Sequence, residues 1–411
     1  MGRAGGSESQ SKGALGIFRC PLHVSNIARH CMRAALWHGS RDNLREFGMD
    51  RRTFFVGAGG ALMLACGTTA WMSSVGSMAD YQAYAKRLRA ALPTPPSLGG
   101  LIRYATLAAN SHNTQPWRFH VGDGFIDILP DLSRRTPAVD PDDHHLFVSL
   151  GCAAENLAIS AAATGWPGEV QMASGGDGAR YAFVRGSMRA SPLFAAIAKR
   201  QSTRAEYDRR AVPAADLAFL ERAAATPGVH LTLITDRMGI DKVRDLVVAG
   251  NDIQMADSAF MSELKRWIRF NPRSAMSSGD GLFSAASGNP VLPSSVGRFA
   301  FEQFFDARTE NDKYARQIDS SAGIAVFVGD REDKMHWIRV GHACQRFALT
   351  ATNLGIKVAF VNQPVEVARL RPHLAGIVGD TGRRRPDIVM RFGYGPTLPF
   401  SPRRPVETAL A

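Results

Sequence analysis

Charge and cysteine are both in short supply. Only 21% of the 411 residues are charged, and the cysteines are five: Cys20, Cys31, Cys66, Cys152 and Cys344. An odd number at wide spacing is not a disulfide framework, so a small cross-linked scaffold is excluded and the redox state is left open. Cys20, His23, His30 and Cys31 could be imagined as a metal knuckle, but no strand or helix pattern surrounds them to hold ligand geometry. No metal site is expected. Also missing are a Gly-x-Ser-x-Gly hydrolase elbow and a His-Glu-x-x-His metal motif. The net charge of +12 suits phosphate or anionic headgroups, yet no basic stretch is interleaved with aromatics, and nucleic acid is not an expected partner. Part of that charge is local, because residues 1–53 hold nine Lys/Arg against four Asp/Glu.

What remains is a chain 45% hydrophobic, enough to bury a sizeable core over two to three domain-sized units. From Met49 it reads Met-Asp-Arg-Arg-Thr-Phe-Phe, then a modestly apolar run from Val56 to Met72. Paired arginines before such a run are an address for twin-arginine export, and Ser77-Met78-Ala79 offers small residues for cleavage before Asp80. The expected location is periplasmic or membrane-anchored, with the export machinery as a partner. Gly57-Ala58-Gly59-Gly60 belongs to the signal's apolar core; no strand precedes it to make a dinucleotide-binding turn. Residues 1–48 are read as a misassigned or disordered leader and 49–79 as the signal peptide.

The chain also matches itself. Gly151-Cys-Ala-Ala-Glu-Asn-Leu-Ala-Ile-Ser-Ala-Ala-Ala-Thr-Gly165 aligns with Gly341-His-Ala-Cys-Gln-Arg-Phe-Ala-Leu-Thr-Ala-Thr-Asn-Leu-Gly355. Each is an Ala-rich helix closed by glycine and followed by a strand-like segment, Glu169 to Ala173 and Lys357 to Val361. Further helical periods fall at 82–92, 99–109, 192–200, 214–225, 240–270 and 364–371. Strand-like runs fall at 117–121, 125–129, 181–185, 229–235, 323–328 and 388–392. The layout predicted is α+β, with one half over 80–190 and a second over 191–411. The Ser/Gly/Asn/Pro-rich stretch at 271–293 reads as a long loop able to serve as a lid.

Three segments carry candidate chemistry. Asn110-Ser111-His112-Asn113-Thr114-Gln115-Pro116-Trp117 lies between a helix and a strand and presents several hydrogen-bonding groups on one tight loop. Arg200-Gln201-Ser202-Thr203-Arg204 offers guanidinium groups and hydroxyls suited to a phosphate. Arg403-Arg404 closes the chain with two more cations. Taken singly, the first could be a solvated connection and the others ordinary basic surface.

Together these segments resemble the nitroreductase family, over about residues 98–408. Ser111, Asn113 and Gln115-Pro116-Trp117 match its Ser-x-Asn-x-Gln-Pro-Trp loop. Arg200, Gln201, Ser202 and Arg204 match its Arg-x-Ser-x-Arg/Lys motif, Arg403 and Arg404 its C-terminal basic residues, and Asn362 and Gln363 the position that reaches the flavin pyrimidine edge. The resemblance implies a nitroreductase-like fold, FMN as cofactor, and hydride or electron transfer through the flavin to a nitroaromatic, quinone or similar acceptor. It implies no covalent catalytic residue.

The order of the motifs departs from the family's usual one. The first half keeps the Ser-x-Asn loop alone, while the second keeps Arg-x-Ser but has Ala224-Ala225-Thr226-Pro227-Gly228 where its own loop would stand. This arrangement resembles Acg-like single-chain relatives, in which one polypeptide is a pseudo-dimer, monomeric and holding one FMN. Export leaves the electron donor open among NAD(P)H, a quinol and a redox partner. The alternative expectation is a non-catalytic FMN-binding protein that sequesters or senses flavin.

Overall fold

The computed structural model describes residues 73–93, 95–380 and 384–411. The leader and most of the twin-arginine segment therefore lie outside the described residues. Described residues Ser73 to Ala79 lead into helix α1 (Met78–Leu88), whose N-cap is Ser77, with its side chain accepting from the amides of Ala79 and Asp80. Val75 is buried, and Arg273 donates to the Ser73 carbonyl.

Helix α2 (Leu98–Ala105) precedes the hairpin β1 (Trp117–Gly122) and β2 (Phe125–Pro130), which turns on Asp123-Gly124. Helix α3 (His144–Ala163), β3 (Gly168–Met172) and β4 (Ala179–Phe183) complete an antiparallel sheet in the order β1-β2-β4-β3. Short α4 (Pro192–Ile197) and α5 (Ala214–Ala224) lead to β5 (Val229–Ile234). An insertion then runs through α6 (Arg237–Ala256), α7 (Ser258–Trp267), β6 (Ile268–Arg269), α8 (Pro272–Ser278), β7 (Leu282–Phe283), α9 (Ser294–Phe304) and α10 (Ala307–Asp319). Strand β8 (Gly323–Gly329), α11 (Lys334–Asn353), β9 (Lys357–Phe360), the turn helix α12 (Gln363–Glu366), α13 (Arg371–Ile377) and β10 (Pro386–Gly393) form the rest, with sheet order β5-β8-β10-β9.

The two sheets have one topology. Strand, strand, twenty-residue helix, strand, strand recurs as β1-β2-α3-β3-β4 and as β5-β8-α11-β9-β10, antiparallel throughout. The α+β class and two repeat-related halves expected from the self-alignment are what the chain adopts. The aligned glycines do two jobs. Gly151 and Gly341 are where α3 and α11 cross: a Cβ on Gly151 would lie 2.0 Å from the Ile338 carbonyl oxygen, and one on Gly341 2.1 Å from that of Val148. Gly165 (φ +89°) and Gly355 (φ +74°) end those helices in the left-handed conformation that glycine adopts without a Cβ clash.

Around this crossing packs the main core, including Leu150, Ala154, Leu157, Val340, Phe347 and Ala351 with Phe119, Tyr181, Phe327 and Met390 from the sheets. Helix α3 is long and apolar enough to span a bilayer, but it is mostly buried against the first sheet and α11 and serves as a core helix.

The insertion corrects two sequence readings. The stretch 271–293 is not a long loop: Asn271 and Ser274 form a capping box, Pro272 takes the first turn of α8, and β7 pairs with β6. Asn-Pro and the serines are cap chemistry here, which composition alone does not separate from a turn. The period read at 240–270 is two helices, because Asp257 is extended (φ −89°, ψ 115°) and caps α7 by accepting from the Ala259 amide at 2.8 Å. The helical period at 364–371 is likewise broken, into α12, a 3-10 turn and α13.

Candidate functional site

The segment after α2 is held in an unusual backbone. His112 (φ +45°), Asn113 (φ +53°) and Gln115 (φ +54°) are all left-handed, a conformation costly for a residue such as Gln and sustained only by surrounding contacts. Those contacts are specific. The Asn113 amide donates to the Gly281 and Pro402 carbonyls, each at 3.0 Å, and the Gln115 amide donates to Gly279 at 2.9 Å. The Gln115 backbone N–H donates to Asn110 Oδ1 at 2.8 Å, and the Arg404 N–H to Gln115 Oε1 at 2.9 Å. The loop is thereby clamped between α8 and the C-terminal segment.

Arg403 completes the clamp. Its guanidinium donates to Asn113 Oδ1 at 2.7 Å and to the carbonyls of Thr106, Leu107 and Ala108 that follow α2, a cation at a helix C-terminus. Arg404 donates to the Gln115 carbonyl at 3.2 Å and lies 3.8 Å from Asp131. Gln201 is committed to the backbone of Leu398, donating at 2.8 Å and accepting at 3.0 Å. The sequence nominates Asn113, Gln115, Gln201, Arg403 and Arg404 as cofactor contacts. In the structure their polar groups build the frame.

Four other nominated residues face open space. Ser111, Arg204, Asn362 and Gln363 line a cavity of about 170 Å³ that is partly open to solvent. Its first-half wall is Ala109–His112 with His145, Val148, Ser149 and Cys152 of α3. Its opposite wall comes from the second half and the insertion, through α6, α7, α10 and the β9–α12 turn. Among the described residues the Arg204 guanidinium has no hydrogen-bond partner, and the buried Gln363 Oε1 has none either. Ser202 sits in a backbone bridge to Val358, outside this lining.

Burial sets the protonation of the cavity groups. It pushes His112 down to about 4, with Arg204 and His145 adding repulsion, so the ring is neutral at pH 7. The same cause raises the Glu366 carboxyl, which accepts from Gln254 Nε2 at 2.6 Å and lies 3.9 Å from His145 Nδ1. Asp140, His144 and His145 are close enough to share a metal ion, but each is already engaged. Asp140 accepts the amides of His145 and Leu146 at 3.0 Å, and His144 bridges Asp387 (2.7 Å) and Arg385 (3.2 Å). The trio anchors the start of α3 to β10.

Behind the 106–109 segment lies a cluster of cations. Arg200 is 5% exposed and donates once, to Leu107 at 3.1 Å, leaving Nε and Nη1 without partners. Half-buried Arg89, the residue that caps the C-terminus of α1, stacks on Phe400 at 3.9 Å, with its Nε unpartnered. Burial lowers the pKa of Arg200, Arg89 and Arg403, and mutual repulsion lowers Arg89 and Arg403 further; Arg89 falls to about 10. Among the described residues no carboxylate is a partner of theirs; Tyr81 and Tyr84 neighbour Arg89 and Arg403 instead. Sequence reasoning missed Arg89, an unremarkable residue just past the end of an amphipathic helix.

No family model matches the chain. A Mycobacterium tuberculosis protein bearing the name Putative NAD(P)H nitroreductase Rv3131 is 26% identical over 324 residues, 76% of this chain and 90% of its own. A second protein of that organism with the same designation, acg, is 22% identical over 328 residues, 74% of this chain and 92% of its own. Among solved structures, a nitroreductase with bound FMN from Desulfitobacterium hafniense is 13% identical with a TM-score of 0.33, covering 53% of this chain and 94% of its own. The FMN-dependent nitroreductase NfnB from Mycobacterium smegmatis, in complex with NADPH, is 12% identical with a TM-score of 0.32 and covers 50% and 87%. The chain is thus similar over most of its described length to proteins named nitroreductases.

Proposed function

We propose that this chain is an exported FMN-dependent oxidoreductase of the nitroreductase type, binding one FMN per chain in the cavity between its halves. The observation that carries the reading is the buried arginine cluster with unpartnered guanidinium nitrogens. Buried cations without a counter-charge are costly, and a phosphate would satisfy Arg200 and Arg89 with charge-assisted bonds. Ser111, Arg204, Asn362 and Gln363 supply the donors and acceptors a heteroaromatic edge needs. Bound FMN would supply two-electron chemistry at its ring, and the protein's part is positioning and charge. Arg204 favours an anionic reduced ring, and neutral His112 can donate or accept one hydrogen bond without adding charge.

Acceptor and donor follow from this reading as classes: a nitroaromatic or quinone as acceptor, and NAD(P)H, a quinol or a redox partner as donor. The insertion α6–α10, which walls the cavity, favours one second reading, retention of flavin without turnover. Purification with FMN measured per chain tests the cofactor, and a chain that neither retains nor rebinds it sinks the proposal. Stopped-flow reduction by NADPH and by a quinol analogue separates the two readings. Reduction by either at a catalytically useful rate supports the enzyme; reduction by neither supports retention.

A further inference from the structure

Two thiols occupy the seam between the halves. Cys152 follows Gly151 on α3, and Cys344 stands one turn after Gly341 on α11; both are buried and unbridged. At this crossing the helix backbones touch, and the Cys152 thiol donates to the Gly341 carbonyl at 3.3 Å. A helical side chain leans toward the helix N-terminus, so Cys344 is carried back to the level of Gly341, toward that sulfur. Cys152 and Cys344 belong to one buried cluster at this crossing, near enough to influence each other electrostatically, and the partly unpartnered guanidinium of Arg200 lies near both. Cys152, alone of the two, lines the cavity.

We propose that Cys152 and Cys344 are a reversible dithiol–disulfide couple that cross-links the two halves at the crossing of α3 and α11 and is reached from the cavity through Cys152. The oxidant is a small disulfide. The Cys152 thiolate attacks one of its sulfurs, forming a mixed disulfide and expelling one thiolate. Cys344, its proton lost to water, then attacks the Cys152 sulfur, forming the Cys152–Cys344 bond and expelling the second thiolate. Two protein thiols are oxidised, one small disulfide is reduced to two thiols, and the two protons released by the protein are taken up by the leaving thiolates. The Arg200 charge favours the Cys344 thiolate, opposing the burial and the neighbouring thiol that push Cys344 up. This couple does not depend on the flavin reading.

The test uses the full chain in oxidised and in reduced glutathione buffers, with remaining thiols blocked before peptide mapping. The expected result is one cross-linked Cys152–Cys344 peptide pair in the oxidised buffer, separate in the reduced one, with a higher thermal midpoint for the oxidised protein. C344S is expected to trap glutathione on Cys152, and C152S to leave Cys344 unmodified. Both thiols alkylated in the oxidised buffer, or glutathione on each without a cross-link, overturns the proposal in the unmutated chain. Equal modification of the two single variants overturns entry through Cys152.

Discussion

Replacing Arg200 with methionine is expected to move stability in opposite directions with and without ligand. In the ligand-free protein Nε and Nη1 of Arg200 are buried without partners, and each such donor costs about 1–3 kcal/mol. The one bond lost, to the Leu107 carbonyl, leaves that oxygen still served by Arg403 at 3.2 Å. Methionine fills comparable length with a flexible apolar chain and removes one of three mutually repelling charges. R200M should therefore gain about 2–4 kcal/mol, the sum of two unsatisfied donors reduced by imperfect packing. With FMN at about a hundred times its dissociation constant, the unmutated chain gains ~2.7 kcal/mol by mass action, and R200M gains little because the phosphate has lost its buried partner. Urea unfolding followed by far-ultraviolet circular dichroism, with and without excess FMN, reads both arms. A ligand-free R200M less stable than the parent would show Arg200 to be a structural strut. Equal stabilisation of both proteins by FMN would refute the phosphate assignment.

Two further outcomes follow from the same geometry. G341A places a Cβ 2.1 Å from the Val148 carbonyl oxygen, where only backbone can yield, and should cost about 3 kcal/mol or more; G355A, in open space at φ +74°, should cost only the ~1–2 kcal/mol of a left-handed alanine. Thermal unfolding of the pair checks this, and the reverse order would sink the helix-crossing account. His112 is held neutral with its pKa near 4 against an ordinary 6.5, so the unfolded chain gains a proton first on acidification. Stability should fall between pH 6.5 and 4, with His112 contributing about 2–3 kcal/mol by pH 4.5. H112N, which tolerates the left-handed backbone, should remove that share while the slope due to buried His144 persists. Urea midpoints at pH 7 and 4.5 measure it, and an unchanged slope in H112N would refute the assignment.

What could be read from the sequence was whatever a local pattern records. The glycines at 151, 165, 341 and 355 mark a repeat because backbone contact and positive φ both exclude side chains. Strand positions were close because period-2 apolar runs survive in both sheets, although β4 lies at Ala179–Phe183, two residues before the run read at 181–185. The frame around the cavity was illegible for a different reason. Asn113 and Gln115 spend their amides on Gly281, Pro402 and Gly279, partners more than 160 residues away, and no local signal distinguishes that use from binding a ligand. Arg89 was invisible on the same ground, since its importance comes from meeting Arg200 and Arg403 in three dimensions.

The insertion also gives a physical reason for asymmetry between repeat-related halves. The connection from β1 to β2 is Asp123-Gly124, whereas its counterpart from β5 to β8 carries α6 to α10, three of which line the cavity. Symmetry would place a second cavity beside α11, walled by the segment between α5 and β5. That segment is Ala225-Thr226-Pro227-Gly228, closed by a Thr226–Val229 bridge, with no side-chain amide and with its one hydroxyl, on Thr226, donating to the Ala224 carbonyl at 3.2 Å. A two-residue turn cannot wall off a site, so any ligand there would remain in water, and the residues that would have contacted it lose their advantage. Polar loop and walling insertion thus stand together on one side of the α3–α11 crossing, which is the side where Arg200 and Cys152 also lie.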